Sequence, residues 1–433
     1  MAELKKISRQ DLKDVLVRHQ KLVDQENGGQ RANLSFHDLA NEDFFGSDFS
    51  MADFTGASLQ HAILAETNFA RATLFGTDLR VANLRRANMT RCDLRGACMR
   101  GADLSDAIMV NADMREGVLA WHDGTEVQYD HRNAELSAAV AARADFTGAK
   151  MSSSFVAQTD FTDAVLRNAS LAGADMRNCV FVGAQMEGAD LSGSKLAGAD
   201  MTGADLSGVK IDKADFEGAN LAGAIIDPKI LAAPELRGAN IPRPDASVAD
   251  RLDDILAAHS LWADSQGGAR ADLSNADLSG HDLRGTNLAA ALMTMAVLKV
   301  ANLSNCILSM ADMSGADMRG VNLHQADMRG VRLERTTLNA GNLSGADLGP
   351  LKSGGASGRV WRSGLAHARF RKADLSGARL VQADLRGACF DDANLQGADL
   401  SGADVTDASF RGANLEGAQL DGADMASAHL DQT

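Results

Sequence analysis

Two histidines and two aspartates fall in one short segment, in Trp121-His122-Asp123 and Asp130-His131. Imidazoles and carboxylates so grouped could hold a metal, but the spacing matches no closed zinc framework, and His and Asp in loops are ordinarily solvated or satisfied locally. We therefore expect no metal, no cofactor and no catalytic residue. Five cysteines are scattered without paired spacing, which fits a reducing compartment and no disulfide framework. Cys98 and Cys389 have no histidine near in sequence that would activate a thiolate. No G-x-x-x-x-G-K-[ST] loop is present to cradle a phosphate. The one chemically suggestive cluster is basic: Arg71, Arg80, Arg85, Arg86, Arg91, Arg95, Arg100 and Arg115 stand in a single stretch of a chain whose formal charge is −15. Such a belt could meet an acidic protein surface or a nucleic-acid backbone.

The elements that carry these residues must be small and regular. In 433 residues, 45% are hydrophobic but only 4% aromatic, and Gly reaches 41 against 5 Pro. That composition excludes a disordered chain and an ordinary core built on large rings. The longest nearly apolar stretch, Leu288 to Leu298, is too short to span a bilayer, and the first residues lack the apolar run of a secretory signal. A cytoplasmic protein without a membrane partner is expected, and its acidity argues against general nucleic-acid affinity.

The organising signal is a repeat of five. Leu, Phe, Met, Ile or Val occupies every fifth position from Leu34 to Leu119, Phe146 to Ile241, Leu273 to Leu348 and Leu365 to Leu430. Thirteen of the 17 Met and 11 of the 15 Phe sit on those positions. Two residues earlier stands a small residue, usually Ala, with Asp or Asn between them. Small-in, polar-out, large-in is a short strand, and the following pair, often Ser-Gly or Arg-Gly, is a turn. A period of five fits neither helix nor continuous strand, so the chain must turn at each unit. Four near-right-angle turns close a coil of about 20 residues, with coils stacked at about 4.8 Å by parallel pairing.

The units Ala102-Asp103-Leu104, Ala199-Asp200-Met201 and Ala413-Asn414-Leu415 match A(D/N)Lxx, and the chain resembles the pentapeptide-repeat family over about four fifths of its length. The resemblance implies an all-β fold, a right-handed quadrilateral parallel β-helix. It implies little about function, since that family includes topoisomerase inhibitors that resemble DNA, effector proteins and many members of unknown role.

Two segments read as helical covers. Ser8 and Asp11 open one, followed by Leu12, Val15, Leu16, His19 and Leu22; Ser247 and Asp250 open another, followed by Leu252, Ile255, Leu256, His259 and Trp262. Each runs into a glycine pair and a repeat start, so the chain is a tandem duplication. The expected order is an N-terminal cap helix and lead-in over 1–33, repeat blocks 34–119 and 146–241 around a loop insertion 120–145, then a linker and second helix over 242–272. Repeat blocks 273–348 and 365–433 follow around a loop insertion 349–364.

With 20 residues to a coil, residues 20 apart stack. Asp175 with Lys195, Asp190 with Lys210, and Asp312 with Arg332 then compensate one another. Arg71 would stack on Arg91, Arg80 on Arg100 and Arg95 on Arg115, like on like, while Asp384, Asp404 and Asp424 would form an uncompensated acidic column. The function expected is a non-enzymatic rigid scaffold that offers its faces and loop insertions to a protein partner, through the eight arginines together with Trp121 and Trp361. The alternative is a DNA-mimicking regulator or inhibitor of a DNA-binding enzyme such as a type II topoisomerase. No helical cover follows Leu415, Leu420, Met425 and Leu430, so a homodimer through the C-terminal coil is also expected.

Overall fold

The computed structural model describes residues 4–122, 127–241, 245, 247–352 and 358–430, with backbone alone over 119–122 and 127–128. The chain forms two compact units, Met1–Ile241 and Pro242–Thr433. Each is a solenoid of five-residue steps whose neighbouring coils pair in parallel, residue with residue 20 later: Asn33 with Asp53, Asp38 with Ser58, Asp43 with Ile63 and Asp48 with Asn68 make four such bridges in one coil. We call the sides of unit 1 that carry Asn33, Asp38, Asp43 and Asp48 the first to fourth. Most steps contribute a single bridging residue rather than an extended strand.

The pentad Ala52-Asp53-Phe54-Thr55-Gly56 shows why these residue types recur. Every one of its N–H groups is used. Ala52 donates to the Phe49 carbonyl at 3.0 Å, closing a turn; Asp53 donates backwards to Ala32 at 3.0 Å; Phe54 and Gly56 donate forwards to Thr73 and Phe75, both at 2.8 Å. The Thr55 N–H, which no carbonyl reaches, is accepted at 2.9 Å by Asp53 Oδ1. The recurring Asp or Asn is thus a backbone acceptor before it is a surface charge, which satisfies an otherwise orphaned donor. The fifth residue of a step has positive φ, whether Gly56 (64°), Asn41 (62°) or even Val81 (57°). With the turn's carbonyl-to-N–H bond, this is the type II geometry that glycine enters most cheaply.

Inside, alternation fills the coil. Ala52, Phe54, Ala57 and Leu59 are buried, as are their equivalents in unit 2. Rings stack from coil to coil, with Phe161 over Phe181 at 5.1 Å and Phe370 over Phe390 over Phe410 at 4.9 and 5.0 Å. A threonine in the small inward slot donates to a carbonyl of the previous coil, Thr67 to Phe44 at 3.0 Å and Thr77 to Phe54 at 2.8 Å, whereas Ser154 turns to the Met151 carbonyl of its own coil at 2.6 Å. A buried hydroxyl without such a partner would be costly.

Each unit opens with a short edge strand and a helical cover. In unit 1, β1 (Lys5–Lys6) pairs in parallel with β2 (His37–Asp38), and α1 (Arg9–Val23) is N-capped by Ser8, whose side chain accepts from the Asp11 N–H. In unit 2 Asp245 takes the place of β1, donating to Asn275 as Lys5 donates to Phe36. The cover there is two helices, α2 (Ser247–Asp250) and α3 (Leu252–Ala263). The Ser247 N–H and hydroxyl donate to Asp245 Oδ1 at 2.9 and 2.6 Å, and the cover breaks at Arg251, at φ −112°, where α1 runs on without a break. No helix among the described residues is long and apolar enough to cross a membrane.

The first interruption does not run over 120–145. The ladder leaves after Met114 and has resumed at Glu135, which bridges Cys98. Between them β3 (Gly117–His122) and β4 (Val127–Arg132) form an antiparallel hairpin. Leu119 matches the five-residue count but lies in β3, paired with Asp130. Leu136 and Ala141 instead occupy core positions that the sequence disguises, the second because an alanine stands where a large residue is usual. In unit 2, β7 (Leu351–Lys352) and β8 (Val360–Trp361) form the second hairpin. Unit 1 also contains the short parallel pair β5 (Asp205–Leu206) and β6 (Ile225–Ile226), after which Leu236, in a 3-10 turn, is buried against the last coil. At the far end of unit 2, Leu415, Leu420 and Met425 remain half-buried and Leu430 is 46% exposed.

Candidate interaction surface

The belt arginines divide by their place in the pentad. An arginine at the fourth position, two residues after an aspartate, folds back on it. Arg80 reaches Asp78 at 2.6 Å, Arg95 reaches Asp93 at 2.7 Å, and Arg115 reaches Asp113 at 2.6 Å. The same Asp-x-Arg closure recurs at Asp175–Arg177, Asp282–Arg284, Asp327–Arg329 and Asp384–Arg386. The arginine hydrogen bond is the main cause that holds Asp175, Asp327 and Asp384 below the usual carboxylate range. The expected stack of Arg95 on Arg115 is therefore neutralised pentad by pentad, and Arg80 is neutralised in the same way. Local spacing carried that signal, and a reading of columns alone passes over it.

Other belt members find acids elsewhere. Arg100 meets Glu135 at 2.5 Å, Arg85 meets Asp103 at 3.3 Å and Asp106 at 3.9 Å, and Arg86 meets Glu66 at 3.8 Å. The buried Asp106 is held further by Arg143 at 2.7 Å. Ladder register spreads the eight around the coil: Arg95 and Arg115 on the first side, Arg80 and Arg100 on the second, Arg85 on the third, Arg86 at the corner that follows it, and Arg71 and Arg91 at the corner after the fourth side. No single face gathers them. Arg71 and Arg91 alone of the eight have no ion-pair partner among the described residues, and both are exposed.

The acidic column is likewise not bare. Arg386 reaches Asp404 at 3.8 Å besides closing on Asp384, and Asp424 Oδ1 accepts the Ala426 N–H at 3.1 Å. Expected compensation holds at Lys210–Asp190, 3.9 Å, and Arg332–Asp312, 3.3 Å. Asn302, Asn322 and Asn342 bridge one another on successive coils, and Asn322 Nδ2 donates to Asn302 Oδ1 at 3.1 Å.

The hairpins interrupt this regular surface. Gly117 crosses the first side against Phe75, over which the Arg95 guanidinium lies at 5.3 Å. Val118 and Tyr129 are 41% and 66% exposed, and Val360 is 44% exposed. The side chain of Trp121 and all of Asp123 lie outside the described residues. Trp361 is not a free knob. It packs at the hairpin base over Gly330, a turn glycine at φ 67° where a Cβ would come within 3.4 Å of the Trp361 Cβ, and Arg359 lies 5.5 Å from its ring.

His131 and Asp130 are engaged locally, with Glu116 at 2.9 Å and Arg132 at 2.5 Å, and no metal-binding group of three or more His, Cys, Asp or Glu occurs among the described residues. Cys92, Cys179 and Cys306 fill the small inward slot, and burial pushes their thiols up to about 12, about 12 and about 11. Cys389, outward by phase, is nevertheless buried. Cys98 lies 3.6 Å from Glu135, and burial raises its thiol as well. A raised thiol is the opposite of an activated thiolate, so Cys92, Cys98, Cys179 and Cys306 are not nucleophiles.

A family model described as pentapeptide repeats matches overlapping windows from 30–60 to 87–119, 159–198 and 184–223, 269–299 to 316–349, and 365–402 and 388–426. No curated protein matches. Among solved structures, the chain is similar to HetL, a pentapeptide repeat protein involved in heterocyst differentiation regulation in Nostoc sp. strain PCC 7120, at 21% identity over 77% of this chain and 87% of that one, with a TM-score of 0.19. It is similar to QnrB1, a plasmid-mediated fluoroquinolone resistance protein, at 18% identity over 52% and 96%, TM-score 0.24. Rfr23 of Cyanothece 51142 matches at 21% over 42% and 96%, TM-score 0.16. Superpositions this poor transfer no feature of those proteins to this chain.

Proposed function

We infer, from the premise that the chain belongs to the pentapeptide-repeat family, that it is a non-enzymatic rigid scaffold, a right-handed four-sided β-helix in each unit, whose hairpins and faces engage a protein partner in the cytoplasm. The observation that carries this reading is that two antiparallel hairpins leave the parallel ladder and present side chains outside its regular pentads. Along the coils, acids close on backbone N–H groups and on arginines. The coils expose single apolar side chains at their turns, Phe45, Val81 and Val300 among them, and the hairpins add Val118, Tyr129 and Val360 on strands outside the pentads. A rigid support limits the entropy lost when such side chains are ordered against a partner. Direct nucleic-acid binding and a membrane role have no part in it.

The test removes the hairpins in register. Deleting residues 116–132 restores five-residue spacing between Met114 and Leu136, and deleting 350–361 does so between Leu348 and Leu365. The expected result is loss of a partner captured by the intact chain, with an unchanged circular-dichroism spectrum. Retention of all partners by the doubly deleted chain refutes the reading. The topoisomerase alternative is not favoured, because Arg386 stands against Asp384 and Asp404 in the column that would mimic phosphates. Purified protein is expected to leave gyrase supercoiling unaffected. The apolar far end of unit 2 is proposed to pair two copies, a point that light scattering on full-length protein and a Leu420→Asp variant decides.

A further inference from the structure

We propose that Arg71 and Arg91 form a two-pronged clamp for neighbouring carboxylates in an acidic segment of a partner protein. The proposal rests on the interaction-module reading above and names a site and a partner chemistry within it.

Their lack of a partner has a structural cause. Both occupy the fifth, positive-φ position of a pentad, at 60° and 58°. The bridging residues of those pentads are Asn68 and Asn88, paired with each other across neighbouring coils, so neither pentad contains the aspartate that an arginine at the fourth position would close on. Arg86 occupies the same kind of corner, also in a pentad bridged by an asparagine, but the residue 20 before it is Glu66 and the two meet at 3.8 Å. In the corner column of Arg71 and Arg91 the flanking residues are Met51 and Asn111, and no acid stands among them. The Arg71 N–H donates to the Thr90 carbonyl at 2.9 Å, which locks the two corners together. The two backbone positions are thereby held on adjacent coils, about 4.8 Å apart along the stack, so that both side chains can reach one short acidic segment, and like charge on neighbouring coils is unfavourable until an anion enters. Each guanidinium presents a planar donor fork suited to a carboxylate.

A nucleic acid is the weaker fit. Its affinity grows with the number of phosphates neutralised, and two arginines on a chain of charge −15 neutralise few while the remainder repels a polyanion. A short acidic segment needs only two contacts.

The experiment uses the full chain and a fluorescein-labelled hexa-aspartate peptide, followed by anisotropy at low salt. Arg71→Gln with Arg91→Gln is expected to weaken binding at least tenfold. Arg80→Gln with Arg115→Gln, which removes the same charge from paired sites, is expected to weaken it less than threefold. Both doubles are first checked by thermal melting. The clamp double is expected to melt no lower than the parent, since relief of repulsion does not destabilise, and a clearly lower melting temperature contradicts the proposal. Hexa-aspartate binding within twofold of the parent in the clamp double, equal losses in both doubles, or tighter binding of a thymidine hexanucleotide than of the peptide each overturns it. A chain that fails these tests but still loses its partner on hairpin deletion leaves the interaction reading standing.

Discussion

Arg80 closes on Asp78 two residues before it, Nη2 to Oδ2 at 2.6 Å, while Asp78 Oδ1 accepts the Arg80 backbone N–H at 3.2 Å. One carboxylate thus holds a turn and neutralises a cation. Asp78→Asn keeps the turn acceptor and loses the exposed ion pair and the 2.6 Å hydrogen bond that Gln60 Nε2 donates to Oδ2, so the expected cost in urea denaturation is about 1 kcal/mol or less. Asp78→Ala also orphans the backbone donor and is expected to cost about 1–2 kcal/mol. Equal costs for the two would show that the turn acceptor contributes nothing.

The cover helices hinge on histidines in their neutral form. His19 Nδ1 accepts the Ala32 N–H at 3.1 Å and His259 Nδ1 accepts that of Ala271 at 3.0 Å, so each joins a helix to the first repeat. Burial is the largest cause that holds both imidazoles below their ordinary value of 6.5; for His19 the nearby Asp48 opposes it and Arg31 assists it. A group with a lowered folded value binds its proton more readily unfolded, so stability rises with pH through the window below 6.5 and is lost as pH falls. Limited proteolysis within residues 4–30 is expected to accelerate between pH 7.5 and pH 5. His19→Ala is expected to be susceptible at both pH values and to flatten that dependence in unit 1.

Not every corner suits its residue. Val300 holds φ 55° while 72% exposed, a β-branched side chain in a left-handed turn with little packing in return. Val300→Gly is expected to stabilise unit 2 by about 1 kcal/mol, the relieved backbone strain exceeding the entropy that glycine adds to the unfolded chain. A lower denaturation midpoint for this variant would contradict the turn assignment.

Thiol reactivity gives a further check. Cys92, Cys179 and Cys306 donate to the carbonyls of Phe69, Val156 and Leu283 at 2.7, 2.8 and 2.8 Å from within the core. With Cys389 also buried, a thiol reagent at pH 8 is expected to label at most Cys98 in the native chain and all five cysteines after denaturation. Rapid native labelling at Cys92 would mean that the coil is open where it is described as filled.

The linear chain by itself determined the coil, because the period of five is local: Ala52, Phe54, Ala57 and Leu59 face inward by alternation alone, and ladder register follows from counting 20. Both cover helices and the duplication were also legible, carried by Ser8, Leu12 and His19 and their counterparts. Only the tertiary structure decided where the first hairpin leaves, since Leu119 and Ala141 each imitate the other's role in sequence and are told apart by which backbone pairs with which coil. The fate of the charges needed three dimensions as well. Arg100 meets Glu135 and Arg143 meets Asp106 across coils that the inserted hairpin shifts out of the 20-residue count. Partners of that kind are set by the path of the backbone, so whether an arginine is spent or left over, as Arg71 and Arg91 are, is a property of the folded surface.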